Sequence, residues 1–191
     1  MKRPDQASDD ELVSEFLGTG DRICFEMLVK RHITLIRRVL LALLEGNTEY
    51  AMDAEQEVLI RLYSHLHQYK RQSKLSTYLV GLTRNTALDE LRKIRRHRRI
   101  AERILSLTPE PVREDDPVNT LVRNEERADI IRALDGLKSD ERFICYMKDA
   151  EDWSLKEIAE ALGRPVGTIK SKLSRSRKKF ALMYQELIDE K

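Results

Sequence analysis

From Phe25 onward, apolar residues recur at Leu28, Val29, Ile36, Val39, Leu40 and Leu43, with His32 filling the gap. Steps of three and four place them on one stripe of a long helix. Gly46 and Asn47 end it, since both tolerate the left-handed backbone of a helix C-terminus. A second helix is predicted over about 49–66, with Ala51, Val58, Leu59 and Leu62 inward and Asp53, Glu55, Glu57 and Arg61 outward. The polar, unperiodic stretch from His67 to Lys74 reads as a loop. Ser76 then caps a helix whose apolar residues are Leu79, Leu82, Leu88 and Leu91. A short helix near 10–17 precedes the long one.

Helical spacing resumes in the last third of the chain. It runs through Ile130, Ile131, Leu134 and Leu137, then Phe143, Ile144 and Met147. Leu155, Ile158, Ala159 and Leu162 follow, and last come Val166, Ile169, Leu173 and Phe180. Between the two periodic regions, Leu107 to Val118 holds three of the five prolines and four acids. Prolines at that density break a helix, and the charge prevents a core, so this is a linker. The pattern predicts an all-α protein of two small helical domains joined by a flexible acidic linker. The first spans 1–105, the linker 106–122 and the second 123–191, each domain folding independently.

Composition agrees with helices. Seven glycines and five prolines in 191 residues are too few for a β-sandwich or barrel, which needs punctuation at every strand end. The longest apolar run, Val39 to Leu44, is far short of the ~20 residues of a membrane span. The first residues, Met1-Lys2-Arg3-Pro4-Asp5, lack the apolar core of a secretion signal. Two cysteines, Cys24 and Cys145, do not make a disulfide framework, and both suit buried small hydrophobes. The expectation is a cytoplasmic protein with no membrane insertion of its own.

The net charge of +2 conceals a pattern. Arg92 to Arg103 holds seven basic residues and one acid; Lys170 to Lys179 holds six basic residues and no acid. Ser106 to Glu126, between them, holds six acids against two bases. Two basic clusters flanking an acidic spacer fit two contacts with a polyanion, or two solvated helix faces.

The sharpest local signal lies between Trp153 and Lys179. Ser154 with Glu157 makes a capping-box pattern ahead of Ile158, Ala159 and Leu162. Gly163 stops that helix, and Pro165 starts the next with its pre-set φ. Val166, Ile169 and Leu173 keep the second helix packed, while Lys170, Ser171, Lys172, Ser174, Arg175, Arg177 and Lys178 occupy its other faces. A short helix, a tight turn and a basic second helix form a helix-turn-helix, whose second helix enters the major groove. A helical hairpin that merely packs is the alternative.

These residues resemble the last domain of bacterial sigma factors of the extracytoplasmic-function (ECF) group. Pro165-Val166-Gly167-Thr168-Ile169-Lys170-Ser171, followed by Leu173 and Arg175, is the most specific piece. Two N-terminal stretches resemble the same family independently. Asp53-Ala54-Glu55-Gln56-Glu57-Val58 is similar to its core-polymerase-binding helix. Leu75-Ser76-Thr77-Tyr78-Leu79 and the run Arg84 to Arg92 are similar to its promoter-melting segment. Tyr78 stands where the family often has Trp, and Leu59 where it often has Phe.

The resemblance implies a transcription initiation factor, with no catalysis and no cofactor. Its partners would be core RNA polymerase, promoter DNA and an anti-sigma factor, the last able to recruit it to the inner membrane face. Asp53, Glu55, Gln56, Glu57 and Arg61 would meet the polymerase. Lys70, Arg71, Gln72, Lys74, Ser76, Tyr78, Asn85, Arg92, Arg95 and Arg96 would handle the minus-ten element. Tyr69 and Tyr78 could stack on an extruded base, whose unstacking costs a few kcal/mol. Thr168, Lys170, Ser171, Lys172, Ser174, Arg175, Arg177 and Lys178 would read the minus-thirty-five element, with Arg175 favoured for guanine by its planar fork. Two other readings stand beside this one. A repressor or activator could dimerise through the N-terminal helices, and a nucleic-acid enzyme could use Asp53, Glu55 and Glu57.

Overall fold

A computed structural model describes residues 6–44, 46–105, 130, 132–134 and 136–189, with side chains except at 101–105. The linker 106–122, the domain boundary after it, Ile131 and the side chain of Arg103 lie outside the described residues. Every element described is helical. Helices α1 (Asp9–Thr19), α2 (Arg22–Leu43), α3 (Thr48–His65) and α4 (Leu75–Leu105) form the N-terminal unit, with a single 3-10 turn at Leu66–Gln68 between α3 and α4. Helices α5 (Ser139–Asp149), α6 (Leu155–Leu162) and α7 (Val166–Asp189) form the C-terminal unit.

Local chemistry sets the boundaries. Ser8 and Glu11 exchange backbone hydrogen bonds in a capping box at α1, a start signal the periodicity does not reveal. Asp21 accepts from the Ile23 amide to open α2, and Asn47 accepts from the Tyr50 amide to open α3. Asn47 is therefore a start, while Gly46, at φ +73°, supplies the left-handed turn before it. Ser76 does not cap α4. The helix begins at Leu75, and the carbonyl of Lys74 accepts from the Thr77 and Tyr78 amides, so Ser76 lies inside the first turn.

Two apolar clusters hold the chain. One lies wholly in the N-terminal unit, around Leu12, Val13, Phe16, Leu28, Leu62, Leu66, Leu75 and Leu79. Phe16 of this cluster forms an aromatic trio with Phe25 and Tyr63, with centroids 5.1–5.3 Å apart. The other cluster crosses between the units. Ile36, Val39, Leu40, Val58 and Val80 meet Phe143, Ile144, Met147, Ile158, Ile169 and Leu173 in one continuous buried set. The two helical units thus share apolar packing in addition to the chain that connects them. Each fully buried aliphatic side chain contributes roughly 1.5–3 kcal/mol, so the shared cluster ties the units together more strongly than any linker could.

The approach is close enough to require glycine. A β-carbon on Gly81 of α4 would sit 2.8 Å from the backbone carbonyl oxygen of Ala161 in α6.

Candidate nucleic-acid and polymerase interface

The helix-turn-helix forms as its residues dictate. Ser154 Oγ accepts from the Glu157 amide at 3.2 Å, and Glu157 accepts from the Ser154 amide at 3.1 Å, closing the capping box of α6. Gly163 ends α6 in the left-handed conformation at φ +59°. Pro165 lies just ahead of α7, and its carbonyl accepts from the Thr168 and Ile169 amides. Ile158, Ala159, Ile169 and Leu173 are buried as expected. Val166 is not; it remains 45% exposed.

Along α7, Lys170, Ser171, Ser174, Arg175 and Lys178 are exposed on one broad arc. The arc is ordered from within: Ser171 Oγ donates to the Thr168 carbonyl at 3.0 Å, and Arg175 Nε donates to the Ser171 carbonyl at 3.3 Å. Thr168 is half-buried. Two other residues of the expected set are engaged by carboxylates. Lys172 donates to Asp140 at 3.1 Å, and Arg177 pairs with Asp149 of α5. Their acids come from a different helix, which inspection of the α7 sequence does not reveal.

The second basic region centres on the loop before α4. Lys70, Arg71, Gln72 and Lys74 are exposed. Arg71 adopts a left-handed φ of 58° and donates to Ser14 Oγ at 2.7 Å, which fixes the loop on α1. Tyr69 donates to the Ser73 carbonyl at 2.7 Å, and its ring lies 5.4 Å from that of Tyr78. Tyr69 is thus a buried support, while Tyr78 is half-buried with its hydroxyl donating to the His65 carbonyl at 3.3 Å.

Tyr78 opens into a cleft of about 560 Å³ between α3 and α4, lined also by Arg61, His65, Gln68, Ser73, Thr77 and Asn85. Asn85 is exposed and accepts from Arg84 at 2.9 Å. Farther along α4, Arg92, Arg95 and Arg96 are exposed, Arg92 donating to Asp89 at 2.7 Å.

On α3, the five residues expected to meet a partner divide. Asp53 and Gln56 are exposed. Glu55 accepts two hydrogen bonds from Arg37 of α2, at 2.6 and 2.9 Å. Arg61 donates to Glu57 at 2.6 Å and to Asp89 of α4 at 2.9 Å. The hydrogen bond from Arg61 holds the Asp89 carboxyl below its ordinary value. Arg61 therefore braces α3 against α4 at the cleft wall. Met52, Ile60 and Tyr63 stand exposed along the same helix, an apolar strip that attention to the acids overlooked. Outward apolar residues are its only trace in the sequence.

Two families match the chain: Sigma-70 region 2 over residues 28–97 and Sigma-70 region 4 over residues 127–180. The chain is 33% identical to the ECF RNA polymerase sigma factor EcfG of Rhodopseudomonas palustris, covering 74% of this chain and 75% of that one. The chain belongs to the ECF RNA polymerase sigma factors.

The sigma factor is also 27% identical to the RNA polymerase sigma-H factor of Pseudomonas aeruginosa, over 97% of this chain and 98% of the other. Its fold is that of the sigma factor RpoE of Bartonella quintana, solved in complex with the anti-sigma factor NepR. That structure matches with a TM-score of 0.62 at 23% identity, over 86% of this chain and 96% of the other. As a sigma factor the chain is a transcription initiation factor, and its regions 2 and 4 are the promoter-binding ones. Among the described residues, no helix is long and apolar enough to cross a membrane, and no group of three His, Cys, Asp or Glu side chains could hold a metal ion.

Proposed function

We propose that the sigma factor divides its work among three surfaces. The exposed face of α3 docks on core RNA polymerase: Asp53 and Gln56 supply the polar rim, and Met52, Ile60 and Tyr63 the apolar contact. Charge then steers the encounter while apolar burial supplies affinity. The cleft between α3 and α4 holds an unpaired base of the minus-ten element beside Tyr78 and Asn85. Lys70, Arg71, Gln72, Lys74 and Ser76 accompany the strand, and Arg92, Arg95 and Arg96 follow the duplex backbone. The exposed arc of α7 enters the major groove at the minus-thirty-five element, with Lys170, Ser171, Ser174 and Arg175 at base edges and Lys178 on phosphate.

The observation that carries this reading is the pairing in one chain of a capped helix-turn-helix with an aromatic cleft flanked by basic residues. The sigma factor acts without catalysis of its own and without a cofactor. It works in the bacterial cytoplasm and is held inactive by an anti-sigma factor; the RpoE of Bartonella quintana is bound by the anti-sigma factor NepR. An anti-sigma factor seated in the inner membrane would place the chain at its cytoplasmic face.

The test is association with core polymerase. Asp53→Arg, on an exposed side chain with no hydrogen bond or ion pair among the described residues, should abolish binding measured by calorimetry while the helical circular dichroism is unchanged. Glu57 is a poorer site for the same reversal, because it braces Arg61. Unchanged affinity in Asp53→Arg refutes the assignment of the α3 face.

A further inference from the structure

Helix α1 lies outside the three surfaces of the sigma factor, yet the loop before α4 is tied to it. The helix is a fixed platform. A capping box seats its first turn, and Leu12, Val13 and Phe16 are buried in the cluster that holds Leu66, Tyr69, Leu75 and Leu79. On another side, Asp9 pairs with Arg31 of α2 at 3.0 Å and meets His32 at 2.7 Å. Asp10 and Ser14 remain, exposed and one turn apart. Both meet the loop.

Ser14 Oγ donates to the Asp10 carbonyl at 2.7 Å and accepts from Arg71 Nη2, also at 2.7 Å. Arg71 needs such a hold. Its φ of +58° is a left-handed conformation that carries a penalty for a long side chain, and such conformations persist only where the surroundings impose them. Two residues earlier, the Tyr69 hydroxyl donates to the Ser73 carbonyl at 2.7 Å and lies 3.4 Å from the Asp10 carboxylate. Burial, with that carboxylate, raises the phenol pKa and keeps it a donor. The loop is thus closed on itself at Tyr69 and pinned to α1 at Arg71. Gln68 and Ser73, near its two ends, line the cleft beside Tyr78.

The tether is also neutral. Other cations of the N-terminal unit take carboxylates: Lys74 with Glu157 at 2.9 Å, Arg84 with Asp140, and Arg38 with Glu151 at 2.7 Å. Ser14 brings no countercharge to Arg71. It occupies one of the five guanidinium N–H donors and leaves the others for a phosphate.

We propose that Ser14 is a positioning residue for the minus-ten strand: acting through Arg71, it fixes the loop at the rim of the cleft with the guanidinium ready for the strand. The proposal rests on the reading of the cleft and its loop as a strand site. Without the hydroxyl, Arg71 and the loop are in the binding arrangement for only part of the time, and affinity falls with that fraction.

The experiment uses holoenzyme assembled from the full chain and core polymerase. The probe is a fluorescein-labelled fragment of a promoter that the sigma factor transcribes, mapped by its transcript start sites, with the minus-ten region opened by mismatches. A duplex holding only the minus-thirty-five element is the control. Ser14→Ala should weaken binding to the opened fragment roughly threefold to tenfold, the range of one ordinary hydrogen bond, and leave core affinity and the control duplex unchanged. Ser14→Thr, which keeps the hydroxyl, should bind like the parent. Arg71→Ala and the double variant complete a cycle in which Ser14→Ala adds nothing once Arg71 is gone. Unchanged binding in Ser14→Ala overturns the proposal. So does a loss that persists in the Arg71→Ala background, that Ser14→Thr shares, or that extends equally to core affinity and the control duplex. Asn85→Ala separates the proposal from the reading beneath it. The expected cycle with no loss in Asn85→Ala keeps the tether and overturns the base site in the cleft, whereas loss in Asn85→Ala alone keeps the base site and overturns the tether.

Discussion

The exposed arc of α7 and the cleft between α3 and α4 carry the same kinds of side chain: lysines, arginines and small polar groups. Their surroundings differ. Lys170, Ser174, Arg175 and Lys178 face solvent, and among the described residues the arc is ordered by hydrogen bonds within α7. At the cleft, Lys74 is engaged by Glu157 of the other unit, and the mouth is walled by Glu160 and Ala161. A basic residue in the sequence therefore says little about availability. Availability is decided by whichever element packs opposite, and here one face is left open while the other is covered by the chain itself.

Phe143 offers the most forceful way to break this contrast. It is fully buried at the centre of the shared cluster and lies under Arg84. Phe143→Ala should cost about 3–5 kcal/mol in urea unfolding, as for other large-to-small core changes. One coupled transition for both units is expected. Two separate transitions, with the N-terminal one unmoved, would mean that the cover over the cleft contributes nothing to the fold beneath it.

On the open face the effects should be smaller and confined to DNA. Arg175→Ala should cost about 1–3 kcal/mol and relax preference at one base pair, whereas Lys178→Ala should weaken all sequences alike and reduce the salt slope by about one. Holoenzyme binding to single-base promoter variants across a salt series measures both. If Arg175→Ala weakened every variant equally, Arg175 would be a backbone contact. The engaged pair Arg177–Asp149 gives the internal control: Arg177→Ala should change thermal stability more than it changes base preference.

The smallest effects concern the edge of the cover. Ser154→Ala should cost about 1 kcal/mol, since it removes the cap of α6. Glu157 adds a pH dependence. The hydrogen bond from Lys74, with those from the Ser154 backbone and side chain, lowers its carboxyl from the usual 4.5 to about 2. Its folded-state value is depressed, so its stabilisation is fully present above about 4.5 and is lost as pH falls toward about 2. Thermal melts of the parent chain and Glu157→Gln should therefore converge across that window. A constant gap down to the acid limit would show that the pair does not hold the edge.

What the sequence discloses follows the range of the interactions. The α6 capping box, Gly163 and the burial of Ile169 and Leu173 are legible because each depends on neighbours three or four residues away. Ser76 has the chemistry of a cap, but the start of α4 is set by the carbonyl of Lys74. The hydrogen bond from Arg61 to Asp89, twenty-eight residues along, has no trace in the local pattern that places Arg61 outward. The cover over the cleft was not legible at all. Its ion pairs join residues 83, 56 and 113 positions apart, and no periodicity encodes such distances. The acidic, proline-rich stretch describes only the connection between the units and carries no trace of the complementary surfaces on what it connects.

Gly81 turns the contact between the units into a trade-off at a single position. In a helix interior, alanine is favoured over glycine by about 1 kcal/mol, so α4 taken alone would gain from a methyl group there. The same methyl would press on the Ala161 carbonyl at 2.8 Å, and a backbone oxygen cannot swing aside as a side chain can. Residue 81 is thus a point where the interest of one helix and the interest of the assembled chain oppose each other. The side chain that would improve the part acts as a wedge in the whole.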